Sequence, residues 1–210
     1  MEQGMSLLQM AGKLFPLMFN MMGPIGLIPA FAALTAAMDE PTRRAVARRA
    51  ALMGLIALVV AVFLGAVMLD AWSISKGSLM LAGGIIVLLT ALLPIASVGV
   101  GQGGSAGASS QSPMQLAVSP LAFPTMVTPK AVAVLIIFVA FFPTIEGKLT
   151  VALVAALMML LNLVGMRYAQ SFMEKVGMTP LLVLGAVFGV LQVALGVEMM
   201  ADGWQAWSAP

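Results

Sequence analysis

Residues 19–30 read FNMMGPIGLIPA and place two glycines and two prolines, Gly23, Pro24, Gly26 and Pro29, inside an otherwise apolar stretch. A proline in a helix interior removes a backbone hydrogen bond, and its ring clashes with the preceding turn. The stretch therefore predicts a membrane helix that is broken into two half-helices.

A second stretch of this kind, residues 119–130, reads SPLAFPTMVTPK and lies in the second half of the chain. Its three prolines also interrupt an apolar run that is too long for a single crossing of a bilayer. Two breaks at matching positions indicate one structural plan used twice. A proline kink that only shapes helix packing is the alternative reading of either break.

The composition defines the surroundings of the chain. Apolar residues make up 61% of the sequence and charged residues 9%, against about 25% charged residues in an ordinary soluble domain. The mean hydropathy is +1.08. Most of the chain should therefore face a lipid bilayer.

The small net positive charge of +2 lies in short loops between apolar runs. Such a surplus sets membrane orientation and does not indicate a nucleic-acid partner. Cysteine and histidine are both absent, which removes thiolate chemistry and the commonest metal ligand. We expect no cofactor and no metal site.

Apolar runs and their interruptions predict an all-α integral membrane protein with six transmembrane segments, of which the first and fourth are broken. The segments cover residues 6–38, 50–69, 77–98, 114–142, 150–166 and 180–201. Three fall in a first repeat, residues 1–98, and three in a second repeat, residues 114–210. A Gly/Ser-rich linker, residues 99–113, joins the two repeats.

A unit of three spans ends on the opposite side of the membrane from its start, so its copy must be inserted upside down. The arginines of the first loop, with Arg167 and Lys175, give six basic residues on one side. The opposite side has two, Lys76 and Lys148, or three if Lys13 is counted. By the positive-inside rule, both termini should lie outside the cytoplasm.

Broken spans also indicate where a solute would bind. Backbone groups freed at a break cost several kcal/mol each in lipid, so breaks persist where protein or a wet cavity receives them. The N–H groups at the start of each following half-helix suit a carboxylate, and freed carbonyls suit an ammonium or a cation. The candidate substrate-binding residues are Asn20, Gly23, Pro24, Gly26, Pro124, Thr125, Thr128, Pro129 and Lys130.

Four segments resemble the MarC family of multi-pass inner-membrane proteins, and together they cover essentially the whole chain. GPIGLIPAFAALT and PLAFPTMVTPKAV are similar to the two proline signatures of that family, while LAGGIIVL and LGVEMMADGW are similar to its third and last spans. The resemblance implies a bacterial-type inner-membrane protein. It also implies a transporter of a small, amino-acid-like solute, since some members are regarded as carriers of glycine and alanine.

The chain departs from the family signatures at four positions. Gly23 replaces an asparagine, for which Asn20 is a substitute, and Thr128 and Lys130 replace two glycines. Glu198 replaces a glutamine near the end. We expect Lys130 either to add a positive charge at the substrate site or to snorkel or pair with Glu198, although a gap of about 12 Å along the helices opposes that pair.

Other readings of the sequence stay open. The protein could be a non-transporting membrane subunit that binds a partner protein, or a cation or copper permease using Met18 and Met22. Asn162 and Gln192 fit interhelical hydrogen bonds as well as solute contacts. No paired carboxylates or nucleophile with a base lie within the spans, so we do not expect an enzyme. A homo-oligomer is left open.

Overall fold

The computed structural model describes residues 6–97 and 117–208, and within these ranges every regular element is a helix and no strand occurs. Nine helices follow one another in the described parts of the chain. They are α1 (Leu7–Met22), α2 (Pro24–Leu34), α3 (Glu40–Trp72), α4 (Lys76–Ser97), α5 (Ala117–Met126), α6 (Pro129–Phe141), α7 (Ile145–Arg167), α8 (Ala169–Val176) and α9 (Met178–Ser208).

Five helical segments are long and apolar enough to cross a membrane. They are Leu7–Leu34, which combines α1 and α2, and Glu40–Trp72, Lys76–Leu93, Ile145–Arg167 and Met178–Ser208. The apolar helix α6 is shorter, with 13 residues. The all-α membrane fold is therefore confirmed, whereas six spans in two inverted repeats stay a prediction, as do the repeat boundaries. The predicted linker, residues 99–113, lies outside the described residues.

The first break is narrower than the sequence predicts. Gly23 alone separates α1 from α2, in an extended conformation (φ −70°, ψ 166°), and Pro24 opens α2. A proline at the first helical position costs nothing, since its missing N–H would be unpaired there anyway. Pro29 was expected to contribute to the break but continues inside α2. A Cβ atom at Gly23 would overlap the carbonyl oxygen of Phe19, so a larger residue here would require the end of α1 to shift.

The second break has a different construction. Before it, α5 is a π-helix, and its last bond runs from the N–H of Val127 to the carbonyl of Ala122 at 3.0 Å, five residues back. Pro129 then opens α6, and the Thr128 hydroxyl caps that helix by accepting from the N–H of Ala131 at 3.3 Å. Two of the three predicted helix breakers, Pro120 and Pro124, lie within this π-helix.

The arginine cluster and the C-terminal pair of tryptophans lie at opposite ends of the bundle. The start of α3 carries the arginine cluster, with an exposed Glu40–Arg44 ion pair, and Arg167 at the end of α7 lies at the same end. At the other end, the Lys76 ammonium lies 5.0 Å from the centre of the Phe141 ring, and the Trp204 and Trp207 rings pack in a tilted pair with their centroids 5.4 Å apart. Interfacial tryptophans and lysines are typical of a membrane boundary.

The helices α4 and α9 pack closely against each other through glycines. A Cβ atom at Gly84 would lie 2.7 Å from the Gly196 carbonyl oxygen, and one at Gly203 would lie 2.7 Å from the Leu81 nitrogen. At the start of α4, Gly77 approaches the backbone of Trp207 in the same way. Small residues let membrane helices approach until their backbones touch, which is how helices associate without a hydrophobic driving force.

Replacing Gly196 with alanine should destabilise the protein by about 1–3 kcal/mol, because the added methyl meets backbone atoms of α4. Gly185 on the same helix offers a matched control, since a Cβ atom there meets nothing within 4 Å. Gly185→Ala should stabilise by up to about 1 kcal/mol through helix propensity alone. Thermal unfolding in detergent, followed by tryptophan fluorescence, compares the two. A Gly196→Ala protein that melts at or above Gly185→Ala contradicts the packing described.

Candidate functional site

A chain of hydrogen bonds connects the two helix breaks. The ammonium of Lys130, in the first turn of α6, donates to Oε1 of Gln192 on α9. The Nε2 group of Gln192 donates to the backbone carbonyl of Asn20 at 2.7 Å and lies 3.3 Å from its side-chain oxygen. Asn20 lies in the last turn of α1, so three separate helices meet at this point.

Gln192 is the central member of this network and is 6% exposed. Its carboxamide is suited to the position, since it accepts from one side and donates to the other. An apolar residue would leave both the Asn20 carbonyl and the Lys130 ammonium without these partners. The geometry therefore gives α9 a direct connection to both breaks.

A second amide supports the first break from the opposite side. Asn162 on α7 is fully buried, and its Nδ2 group donates to the carbonyl of Met22 at 2.8 Å. That carbonyl is one of those freed where α1 ends. One turn later, Gly165 lets α7 approach the break, since a Cβ atom there would lie 2.7 Å from Cβ of Pro24. In the described part of the chain, the Oδ1 atom of Asn162 is buried without a hydrogen-bond partner.

The start of α2 has no side-chain cap, because Gly23 has no side chain to provide one. The N–H groups of the first turn, at Ile25 and Gly26, precede the first intrahelical bond and point away from the helix. Gly26 is exposed, and a Cβ atom there would meet nothing within 4 Å. An uncapped helix start beside open space is suited to a carboxylate.

The second break presents fewer free groups. Thr128 caps α6 with its own hydroxyl. Gly54 on α3 makes room chiefly for the Met159 sulfur of α7, which would lie 2.9 Å from a Cβ atom there, and also contacts Val127. Thr125 and Thr128 are half-buried, and Pro129 is exposed. Pro124 lies within α5. The chemistry of this break therefore comes mainly from the Lys130 ammonium.

The structure thus brings Asn20 and Lys130, two of the predicted residues, into one network and places the rest within or beside the two breaks. Their role in binding stays a prediction. Lys130 pairs with Gln192 and not with Glu198, the partner considered in the sequence. Glu198 is exposed and lies six residues further along α9, about 9 Å along the helix axis.

Gln192 and Asn162 both make interhelical hydrogen bonds at the first break. The sequence had left interhelical hydrogen bonds and solute contacts equally open for these two amides. Their signal was visible as lone amides in apolar helices, which must find hydrogen-bond partners in lipid. Which backbone carbonyl each amide would contact depended on the packing of α7 and α9.

The methionines before the first break belong to the hydrophobic core. Met18 and Met22 are buried in the hydrophobic core, as expected of adaptable apolar filler. Among the described residues, no group of three histidine, cysteine, aspartate or glutamate side chains could hold a metal ion.

A cavity of about 480 Å³ lies apart from the predicted residues, none of which lines it. It opens between the start of α3 and the corner of α7 and α8. Its charged lining consists of Glu40, Arg43, Arg44, Arg48, Arg167 and Glu174. The cavity shows that the first and fifth predicted loops share one end of the bundle.

Comparison with known proteins supports the family resemblance. Residues 8–208 match the MarC family of integral membrane proteins. The chain is 28% identical to the membrane protein YhcE of Escherichia coli over 91% of its own length and 90% of that protein. It is 27% identical to the inner membrane protein YhgN of Escherichia coli over 91% of its length and 94% of that protein.

A further relative is a membrane protein of Buchnera aphidicola, 26% identical over 91% of this chain and 90% of that protein. The names of these relatives describe membrane proteins and give no substrate. No solved structure is significantly similar to the chain.

Replacing Asn162 with leucine should destabilise the protein by about 1–3 kcal/mol, because the Met22 carbonyl loses the hydrogen bond from the Asn162 amide in a buried place. Gln170→Leu is the control, since Gln170 also donates to a backbone carbonyl, that of Ala32 at 3.1 Å, but at a less buried position. Thermal unfolding in detergent should show the larger loss for Asn162→Leu. Equal or smaller loss would mean that Met22 needs no cap.

Replacing Gln192 with leucine should destabilise by about 1.5–3 kcal/mol, since it removes a hydrogen bond to the Lys130 ammonium in a half-buried place. The double variant Lys130→Met with Gln192→Leu should lose less than the sum of the two single variants, because the unpaired charge is gone. A double-mutant cycle on melting temperature measures this coupling. Additive losses would show that the two side chains do not interact.

Proposed function

The chain belongs to the MarC family of integral membrane proteins, and from this we propose that it transports a small polar, amino-acid-like solute, which binds where the two helix breaks meet. The Asn20–Gln192–Lys130 network is the observation that carries the proposal. Proline breaks that served only packing would still need Gln192 for the Asn20 carbonyl, but they would not need the Lys130 ammonium. A polar group within a membrane is expensive and usually marks a pathway or a site.

The start of α2 supplies the binding chemistry in this proposal. The free N–H groups at Ile25 and Gly26 receive the solute carboxylate, and the open space beside Gly26 admits it. Asn162 Oδ1, which has no partner in the described chain, lies at the same break and is an acceptor for an ammonium group. A zwitterion offers the two charges that these groups require.

We further propose that six spans form two inverted three-helix repeats. The helix contacts support this. The first half-helix α1 packs on α7, and its counterpart α5 packs on α3. Likewise α2 contacts α7 and α9, and α6 contacts α3 and α4. Exchanging each helix of the first half for its counterpart in the second half leaves this pattern of contacts unchanged.

Transport would follow from alternating access around the breaks. Gln192 holds both breaks at once, so a shift of one half against the other must lengthen or break its bonds to Asn20 or Lys130. A bound solute can replace the bonds lost, which couples its presence to the movement.

The arginine end of the bundle faces the cytoplasm in this proposal, with both termini on the other side of a bacterial-type inner membrane. Two relatives of the chain are named as membrane or inner membrane proteins, in keeping with this location. A non-transporting subunit that binds a partner protein is the alternative that a flux measurement distinguishes.

Replacing Gly26 with valine should lower transport at least tenfold without loss of folding, because the added side chain enters the open space at the start of α2. Gly12→Val is the matched control: it lies on α1, and a Cβ atom there also meets nothing within 4 Å. Uptake of radiolabelled glycine, alanine, aspartate and glutamate into proteoliposomes is the measurement. If the wild-type protein transports none of these solutes, the non-transporting subunit is favoured. If flux through Gly26→Val equals flux through Gly12→Val, the solute does not bind at the start of α2.

A further inference from the structure

Lys130 is a positive charge at the N-terminal turn of α6, which is the positive end of the helix dipole. The residue follows Pro129 in the first turn of α6, where the free N–H groups already give the helix end a partial positive charge. It is also half-buried, so its ammonium has lost part of its water. A cation at such a position breaks a local rule of helix design, and such departures concentrate at functional sites.

The partner of Lys130 is neutral. Gln192 accepts one hydrogen bond from the ammonium, and its own N–H groups are directed to Asn20. An amide dipole does not compensate a full charge, and a neutral donor could satisfy the same oxygen. Since an ammonium has three N–H donors, the bond to Gln192 leaves two for another acceptor.

No carboxylate of the described chain supplies the missing negative charge. Within residues 6–97 and 117–208, the one ion pair is Arg44–Glu40 at the arginine end of the bundle. Glu198 is on the same helix as Gln192, but it is exposed, whereas Gln192 is buried. The Lys130 charge is therefore uncompensated by the described residues.

Lys130 also lies near the first break. Its bond to Gln192, and the bond from Gln192 to Asn20, lead to the end of α1, three residues before Gly23. The uncapped N–H groups at the start of α2 follow directly. Two centres of positive potential, the ammonium and the helix start, thus belong to the same small region.

We propose that Lys130 receives a carboxylate of the transported solute, so that this protein selects solutes with two carboxylates, such as aspartate, glutamate or succinate, over glycine and alanine. The inference rests on the proposed function, since it assigns a charge class to the same site. One carboxylate binds the N–H groups at the start of α2, and the other forms a charge-assisted hydrogen bond with the Lys130 ammonium. Lys130 is then the residue that determines specificity.

The experiment measures binding and uptake of five solutes: glycine, alanine, aspartate, glutamate and succinate. Thermal shift of the purified protein in detergent gives binding, and proteoliposomes give uptake. The wild-type protein should bind the three solutes with two carboxylates at least tenfold more tightly than glycine and alanine. Lys130→Met should lose this preference, and Lys130→Arg, which keeps the charge, should retain most of it.

The ratio of affinities is the decisive reading, because a purely structural role of Lys130 would lower all affinities or the melting temperature without changing the ratio. If Lys130→Met does not fold, Lys130→Gln takes its place and the same ratio decides. An unchanged ratio in a folded neutral variant overturns the inference. Wild-type transport of glycine and alanine without preference for acidic solutes overturns it alone, whereas no binding or transport of any of the five overturns the proposed function as well.

Discussion

The structure depends on one constraint, which is that a backbone interrupted inside a lipid bilayer must have its hydrogen-bonding groups satisfied by the protein itself. At the first break, that requirement falls on two amides from distant helices. Asn162 of α7 takes the Met22 carbonyl, and Gln192 of α9 takes the Asn20 carbonyl. Because each amide comes from the second half of the chain, the first break is stable only within the assembled bundle.

The two breaks satisfy this constraint in different ways. The second break is largely self-sufficient, since its π-helical turn and the Thr128 cap use local groups. The first break relies on α7 and α9 and leaves the start of α2 open. The two breaks therefore supply different chemical groups. One presents free backbone donors, and the other presents a side-chain charge.

Much of this arrangement was predictable from the sequence, because its strongest signals are local. Composition and apolar runs predicted a helical membrane protein, and the prolines predicted both interruptions. The extent of each break was less predictable, since Pro29, Pro120 and Pro124 continue inside helices that adjust around them. The sequence showed that Lys130 is unusual, but it did not identify Gln192 as its partner, because that contact depends on how α9 packs in the bundle. The number of spans stays a prediction, as α6 is shorter than a full crossing.

The glycine contact between α4 and α9 has a consequence for biosynthesis. Helix α4 precedes α9 by about a hundred residues in the chain, so the glycine face of α4 has no partner until α9 has been synthesised. A shorter delay holds for α1 and α3, which must wait for α7. Helices can insert into the bilayer one by one, but the contact between α4 and α9 forms only after α9 has emerged from the ribosome. During that interval the exposed glycine surface must be covered by lipid or by the insertion machinery.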